Sequence, residues 1–261
     1  MLTKNERNSI KALRIKKNRQ NDGLMVVEGV KGVLELLRSS LVTKRIYVTT
    51  GSKYPELTRV ASDSGIEVST VSSKDMDIMS SLKKAPGVLA VGEISYSTEE
   101  NLILRVKTPC DGVVPTLLLL DDLVDPGNVG ALIRTADWFG LAGVVCSPRT
   151  ADVWNTKAIQ SSMGSLFRLP ILVQDLGEFI SNNNLSCAAL DAGGEDIYTN
   201  SDIPNAVVVG SESQGLSEGL KNICDIVLAI PGSGNAESLN AAIAGSILSS
   251  EISRRWRNLN R

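Results

Sequence analysis

The strongest constraint on this chain is an alternation in its later part between short, continuously apolar runs and segments of helical periodicity. Thr116–Leu120, Ala142–Cys146, Phe167–Val173, Ser186–Leu190, Ala206–Val209 and Ile226–Ile230 read as strands. Between them lie helices over Val129–Phe139, Thr156–Met163, Leu176–Ser181 and Ser217–Asn222, and a last helix follows Ser238. Strands that are apolar throughout, rather than at every second residue, are covered on both faces. Covered strands alternating with helices imply an α/β fold with a mostly parallel sheet.

A smaller α/β unit precedes it. The spacing predicts a helix within Leu2–Arg19, a strand at Leu24–Val27 and a helix at Val30–Leu37. It then predicts a strand at Arg45–Thr49, a helix at Pro55–Asp63 and a strand at Ile66–Val71. A short helix at Asp75–Met79 and a strand at Gly87–Ile94 complete the unit. The pattern breaks after Ser95. Residues 1–95 are therefore expected to form one domain, 96–114 a linker with some local structure, and 115–261 the larger domain.

Charge is concentrated at the two ends. Net charge is −2, yet Lys4, Arg7, Lys11, Arg14, Lys16, Lys17 and Arg19 face one acid, Glu6, in the first twenty residues. Arg254, Arg255, Arg257 and Arg261 cluster in the last ten with no acid, so the body between is strongly acidic. Focused contact with phosphate and solvated basic ends both fit this distribution. The chain has no histidine, which excludes Ser-His-Asp and Cys-His chemistry and leaves a zinc site without its commonest ligand. Four widely spaced cysteines fit buried free thiols in a reducing compartment. No apolar run approaches the roughly 20 residues of a membrane span. A cytoplasmic protein with no membrane and no metal partner is expected.

In parallel sheets ligands bind beyond the carboxyl ends of the strands. Three turns at that edge are rich in Gly and polar residues. The first, Asp121–Ala136, carries Asn128 as a candidate helix cap and Arg134 on a face cleared by Gly127, Gly130 and Ala131. Arg134 could grip a phosphate or carboxylate bidentately, or pair with a surface acid. The second, Val209–Leu216, holds Gly210-x-Glu212-x-x-Gly215 but lacks the middle glycine of a dinucleotide fingerprint. The third, Ile230–Asn240, runs Ile-Pro-Gly-Ser-Gly-Asn-Ala-Glu-Ser-Leu-Asn. Ser238 is its candidate N-cap. Leu239, Ile243, Ile247 and Ile252 then make one apolar face, expected in the core. Ser238, Ala242, Gly245 and Ser249 make a stripe of small residues that permits close approach of another backbone, a ligand or a second subunit.

Together these turns resemble the SpoU/TrmH family of RNA 2′-O-ribose methyltransferases. Its three motifs match Asn128-x-Gly130-x-x-x-Arg134-x-Ala136, Gly210-x-Glu212-x-x-Gly215-Leu216, and Ile230-Pro231 through Ser238-Leu239-Asn240, in family order. Asn155-Thr156-Lys157, Ser162-Met163-Gly164 and Phe167–Pro170 are also similar to it, while Gln160 departs where relatives often carry a basic residue. Lys17-x-Arg19-x-x-x-Gly23 with Glu28-Gly29 resembles the opening of the substrate-binding domain that many members carry.

The resemblance implies a homodimeric enzyme dependent on S-adenosylmethionine, with a trefoil-knotted catalytic domain of the SPOUT type. It implies cofactor binding around Leu190, Asp191, Ala192, Gly210, Ser211, Glu212, Gly215, Leu216, Ile230, Pro231, Ser238, Leu239 and Asn240. It places Arg134, Asn128, Glu212, Ser238 and Asn240 in catalysis, and RNA contact at Lys11, Lys16, Lys17, Arg19 and Arg134. A guanidinium keeps its proton, so Arg134 is expected to hold phosphate and stabilise alkoxide charge rather than act as a literal base. Ribosomal RNA is the favoured substrate by analogy. Transfer RNA, an antibiotic-resistance methylation of ribosomal RNA, and an inactive RNA-binding homologue are the alternatives.

Overall fold

The computed structural model describes residues 2–211 and 215–260. In chain order its helices and strands are α1 (Lys4–Ala12), α2 (Lys16–Asp22), β1 (Leu24–Glu28), α3 (Val30–Leu37), β2 (Thr43–Thr49), α4 (Pro55–Asp63), β3 (Val68–Val71), α5 (Ser73–Met79) and β4 (Val88–Glu93). Then come α6 (Glu99–Lys107), β5 (Val114–Leu120), α7 (Pro126–Phe139), β6 (Leu141–Cys146), α8 (Thr156–Ser162), β7 (Ile171–Val173) and α9 (Leu176–Asn183). The chain ends with β8 (Cys187–Asp196), β9 (Ala206–Val209), α10 (Glu218–Ile223), β10 (Ile226–Ala229) and α11 (Ala241–Leu259). No helix among the described residues is long and apolar enough to cross a membrane.

Two compact units result. The first joins residues 1–95 to 152–168, and the second joins 96–151 to 169–261. Segment 152–168, which includes α8, thus clusters with the N-terminal residues although it lies in sequence between β6 and β7.

In the first unit β1, β4, β2 and β3 form one sheet, antiparallel at β1–β4 and β4–β2 and parallel at β2–β3. Its core gathers Ile10, Leu13, Val26, Tyr47, Met76, Met79 and Leu89. The expected single N-terminal helix is two. Thr3 and Glu6 close a capping box on α1, and Ile15, in extended backbone, starts α2 with no side-chain cap. Arg19 lies inside this unit, 2% exposed. Its Nε donates to Asp152 Oδ2 at 2.9 Å and its Nη1 to the Leu13 carbonyl at 2.7 Å. An arginine spent this way cannot also grip RNA, which corrects the expectation for Arg19. Nothing in the local spacing announces the pairing, because its partner is 133 residues away.

The second unit is a six-stranded sheet in the order β10-β8-β9-β5-β6-β7, and every neighbouring pair is parallel. Residues 96–114, expected as a linker, contain α6, capped by Thr98. Leu102, Ile103 and Val106 of α6 are buried in the core with Leu117, Leu119 and Phe179. Each such burial is worth about 1.5–3 kcal/mol, ample to fix a nine-residue helix. The expected strand Phe167–Val173 is shorter, because residues 165–167 make a turn of 3₁₀ helix before β7. Cys146 and Cys187 are buried as expected, but Cys110 is exposed and Cys224 half-buried. The Cys224 and Cys187 Sγ atoms lie 3.2 Å apart.

The last helix differs from expectation in both start and orientation. Its N-cap is Asn240, not Ser238. The small residues Ala242, Gly245 and Ser249 face inward, and a Cβ on Gly245 would meet Leu132 Cδ2 at 2.5 Å and Val209 Cγ2 at 3.2 Å. That close seat against α7 and β9 rotates the expected core face outward. Leu239 is 45% and Ile243 53% exposed, while Ile252 stays buried.

Candidate active site

A stretch inside β8, where its pairing with β10 skips from Ala189 to Glu195, and the turns beyond the carboxyl ends of β9 and β10 enclose a cavity of about 590 Å³. Leu190, Asp191 and Ala192 form one wall, and Gly210, Ser211 and Gly215 a second. Ile230, Pro231, Ser238 and Leu239 form the third. The sequence pointed to each of these. Val209, Gly232, Gly234, Ala236, Glu237, Ala241 and Ala244 also line the cavity. For the glycines and alanines among them the signal was lack of bulk, which reads equally as tight core packing.

Close approach of backbone shapes the second wall. A Cβ on Gly210 would lie 2.6 Å from the carbonyl carbon and oxygen of Gly215 and 2.8 Å from the Leu216 nitrogen. Only glycine lets these two passes of chain meet. Leu216 is buried in the core with Leu176 and Leu220 and does not line the cavity. Glu212, expected in both cofactor binding and catalysis, lies outside the described residues.

Asp191 gives the first wall its charge. Lys221 of α10 pairs with it, Nζ to Oδ2 at 2.8 Å, and the Gly193 N–H donates to Oδ1 at 3.2 Å. The Lys221 hydrogen bond holds the Asp191 carboxyl below the usual carboxylate range, against a smaller opposing effect of burial. The cavity therefore presents a fixed anion beside apolar walls. Lys221 was missed because a lysine on a short helix carries no motif.

Asn240 stands at the end of the third turn and, unlike Ser238 and Leu239, does not line the cavity. Its Oδ1 accepts from the Ala242 N–H at 2.9 Å and the Ile243 N–H at 3.3 Å, which caps α11. Its Nδ2 donates to Asn128 Oδ1 at 3.3 Å. Asn128 is thus brought to Asn240 but does not cap α7. Asp125 does so, accepting from the Gly127 N–H at 2.7 Å. Arg134 lies on the exposed face of α7 and outside the cavity lining. It makes no hydrogen bond or ion pair with another described residue. Trp138, one turn further on, is 81% exposed. Lys11, Lys16 and Lys17 are exposed in the first unit.

A second recess of about 410 Å³ lies at the ends of β5, β6 and β7, between Asp121, Asp122, Arg149 and Asp175. Burial and the neighbouring Asp122 push the Asp121 carboxyl up. None of the residues expected to act in catalysis lines it.

Comparison with known proteins agrees with this arrangement. The SpoU rRNA methylase family model matches residues 115–250, and an MRM3-like substrate-binding domain matches 5–90. A relative from Mycolicibacterium smegmatis, described as an uncharacterised tRNA/rRNA methyltransferase, is 32% identical over 98% of this chain and 84% of its own length. An AdoMet-bound rRNA methyltransferase from Sinorhizobium meliloti superposes with a TM-score of 0.82 at 29% identity, covering 97% of this chain and 96% of that one. The SpoU methyltransferase AviRb from Streptomyces viridochromogenes, in complex with AdoMet, shares the fold with a TM-score of 0.83 at 22% identity, covering 98% and 99%. With a family match over more than half its length, the chain belongs to the SpoU rRNA methylase family.

Proposed function

We propose that the protein is an S-adenosylmethionine-dependent methyltransferase acting on a ribose 2′-hydroxyl of RNA, with ribosomal RNA as its substrate. The observation that carries this reading is the cavity built from the middle of β8 and the turns after β9 and β10. Its walls are small and apolar enough for a flat, adenosine-sized group, and its fixed anion at Asp191 suits a cationic or hydroxyl-bearing one. The AdoMet named for the Sinorhizobium relative fits that description. When bound, S-adenosylmethionine supplies an electrophilic methyl on a sulfonium.

The chain's own residues do the rest. Leu190, Asp191, Gly210, Ile230 and Pro231 hold and orient the cofactor by contact. Asn240, tied to Asn128, fixes the end of the third turn. Arg134 is a permanent cation with no protein partner among the described residues, free to hold the phosphate beside the target ribose and to stabilise charge growing on its oxygen. Ser238 and Glu212 remain polar candidates by motif position. Lys11, Lys16 and Lys17 receive RNA phosphates on the first unit, domain 1–95 of the sequence reading.

We also propose that the protein is a homodimer, with the knotted topology that the family resemblance implies. Helix α7 exposes Trp138, α11 exposes Ile243, and Leu239 is exposed just before α11, apolar side chains that a second copy would cover. Sedimentation analysis should give a dimer for the wild type and a monomer for Ile243→Asp. A monomeric wild type would remove this part.

Titration calorimetry with S-adenosylmethionine tests the cofactor, and absence of binding would defeat the enzymatic reading. Mass-spectrometric mapping of ribose methylation, in RNA from cells with and without the gene, tests the substrate. A mark lost from transfer RNA alone would move the substrate there.

A further inference from the structure

The first unit holds a buried carboxylate that accepts hydrogen bonds from the stem of one exposed loop. Glu28, at the end of β1, is 6% exposed. It accepts from the Ser80 hydroxyl, from the Ser81 N–H at 2.8 Å and from the Ser81 hydroxyl at 2.6 Å. Ser80 Oγ in turn accepts from the Leu82 N–H at 3.1 Å. From the other side Arg14 Nη2 donates to the carbonyls of Ser80 and Ile78, the latter at 2.8 Å. Taking a carboxylate out of water is expensive unless donors saturate it. Here that arrangement fixes the stem of a loop whose tip carries Leu82, Lys83 and Lys84, all exposed.

The exposed cations of this unit are of two kinds, and Lys4, Lys11, Lys31, Lys53 and Lys74 share the unpaired state of this loop's lysines, which are set apart by the fixed stem that carries them. Arg7, Arg38, Lys44, Arg45, Arg59 and Arg168 are each neutralised by a carboxylate. Lys83 and Lys84 make no ion pair with any described residue, and neither do Lys16 and Lys17, which follow Arg14 by two and three residues. Arg14 therefore ties the segment leading to Lys16 and Lys17 to the stem of the loop that carries Lys83 and Lys84. A rigid stem that presents unneutralised lysines loses little entropy when a polyanion docks.

We propose that the Lys83–Lys84 loop is an RNA-backbone contact that works together with Lys16 and Lys17, and that Glu28 is its positioning residue. The proposal rests on the RNA-methyltransferase reading and adds to it a contact outside the motif residues. Lysine binds phosphate as a point charge, so the contact sets register and affinity rather than base identity.

The test is filter binding of deproteinised 23S ribosomal RNA to the full chain over a series of salt concentrations. Each lost phosphate contact lowers the slope of log K against log salt by about 0.7. K83Q/K84Q should flatten that slope by about 1.4 and weaken binding roughly tenfold at 0.1 M salt. R38Q/R59Q removes the same net charge from paired positions and should leave the slope unchanged. Glu28→Gln puts an N–H₂ where donors already point, so K83Q/K84Q should lose less in that background than in the wild type, a coupling that mere destabilisation would not produce. If Glu28→Gln fails to fold, the surface lysine pair still decides. Equal slope and affinity for K83Q/K84Q and the wild type would overturn the proposal while leaving the RNA reading intact. A wild-type protein that binds S-adenosylmethionine but retains no RNA would overturn both.

Discussion

Asn240 caps α11 with its side-chain oxygen while its side-chain nitrogen reaches Asn128 on α7. One residue thus fixes where the last helix begins and how the third turn meets the first. Asn240→Ala removes the cap and the bond to Asn128 and should lower stability by about 1 kcal/mol, as lost caps do. Asn240→Asp keeps the cap acceptor but not the donor, so urea unfolding should show most of the stability restored. S-adenosylmethionine affinity should recover less, because the bond to Asn128 Oδ1 would still be missing. Full recovery of both would make the link to Asn128 irrelevant.

Arg134 is predicted to matter for transfer and not for folding. Arg134→Ala should leave calorimetric cofactor affinity within twofold and reduce methyl transfer to RNA by roughly a hundredfold or more, the scale seen when one charge-stabilising donor is removed. Arg134→Lys should recover only part, since a lysine cannot hold phosphate bidentately. Wild-type turnover in Arg134→Ala would take the residue out of the mechanism.

Gly210→Ala forces a methyl against the backbone of Gly215 and Leu216, which cannot step aside as a flexible side chain could. Stability should fall by about 1–3 kcal/mol, and cofactor affinity should fall with it because the second wall moves. Thermal unfolding with and without S-adenosylmethionine reads both, and an unchanged ligand-induced shift in Tm would contradict the assignment of this wall.

Asp121 gives a pH prediction. Its carboxyl is raised by burial and by Asp122, so its ionised form is disfavoured in the folded state. That penalty is absent below the ordinary carboxylate range and complete above the raised value, so stability falls as pH climbs through this interval. Asp121→Asn should therefore stabilise the protein at pH 7, with the gain vanishing below about pH 4. Urea midpoints at the two pH values decide, and a gain that persists in acid would mean another cause.

Arg19→Ala leaves Asp152 buried without its cation. Breaking such a pair costs about 3–5 kcal/mol, so the variant should unfold far more readily. At temperatures where it remains folded, the salt dependence of its RNA binding should match the wild type. A flatter slope would return Arg19 to the RNA surface.

How far the sequence could be read depends on whether its signals were local. The helix Val30–Leu37 and strand Ala206–Val209 were legible because periodicity and length suffice for each. Helix α6 was not, because its polar flanks resemble a linker and its apolar face makes sense only once β5 and β6 are beside it. The apolar face and the small-residue stripe read for the last helix exchanged roles in its first turns for a similar reason. Leucine and isoleucine look like core, yet Gly245 is what lets the helix approach Leu132 and Val209. At the site, glycines and motif residues of the three turns were readable, whereas Lys221 and the pairing of Arg19 depend on partners distant in sequence.

The membership of segment 152–168 in the first unit has a practical meaning for anyone who would divide this protein. The chain passes from one unit to the other at residues 95/96, again at 151/152, and a third time at 168/169. A fragment cut at residue 96 would carry Asp152 without Arg19, and α8 without the strand β1 of its own unit. No single scission yields two whole parts. Exchanging the N-terminal unit between relatives therefore means transplanting two stretches of sequence together, and substitutions in one stretch are selected in the company of the other.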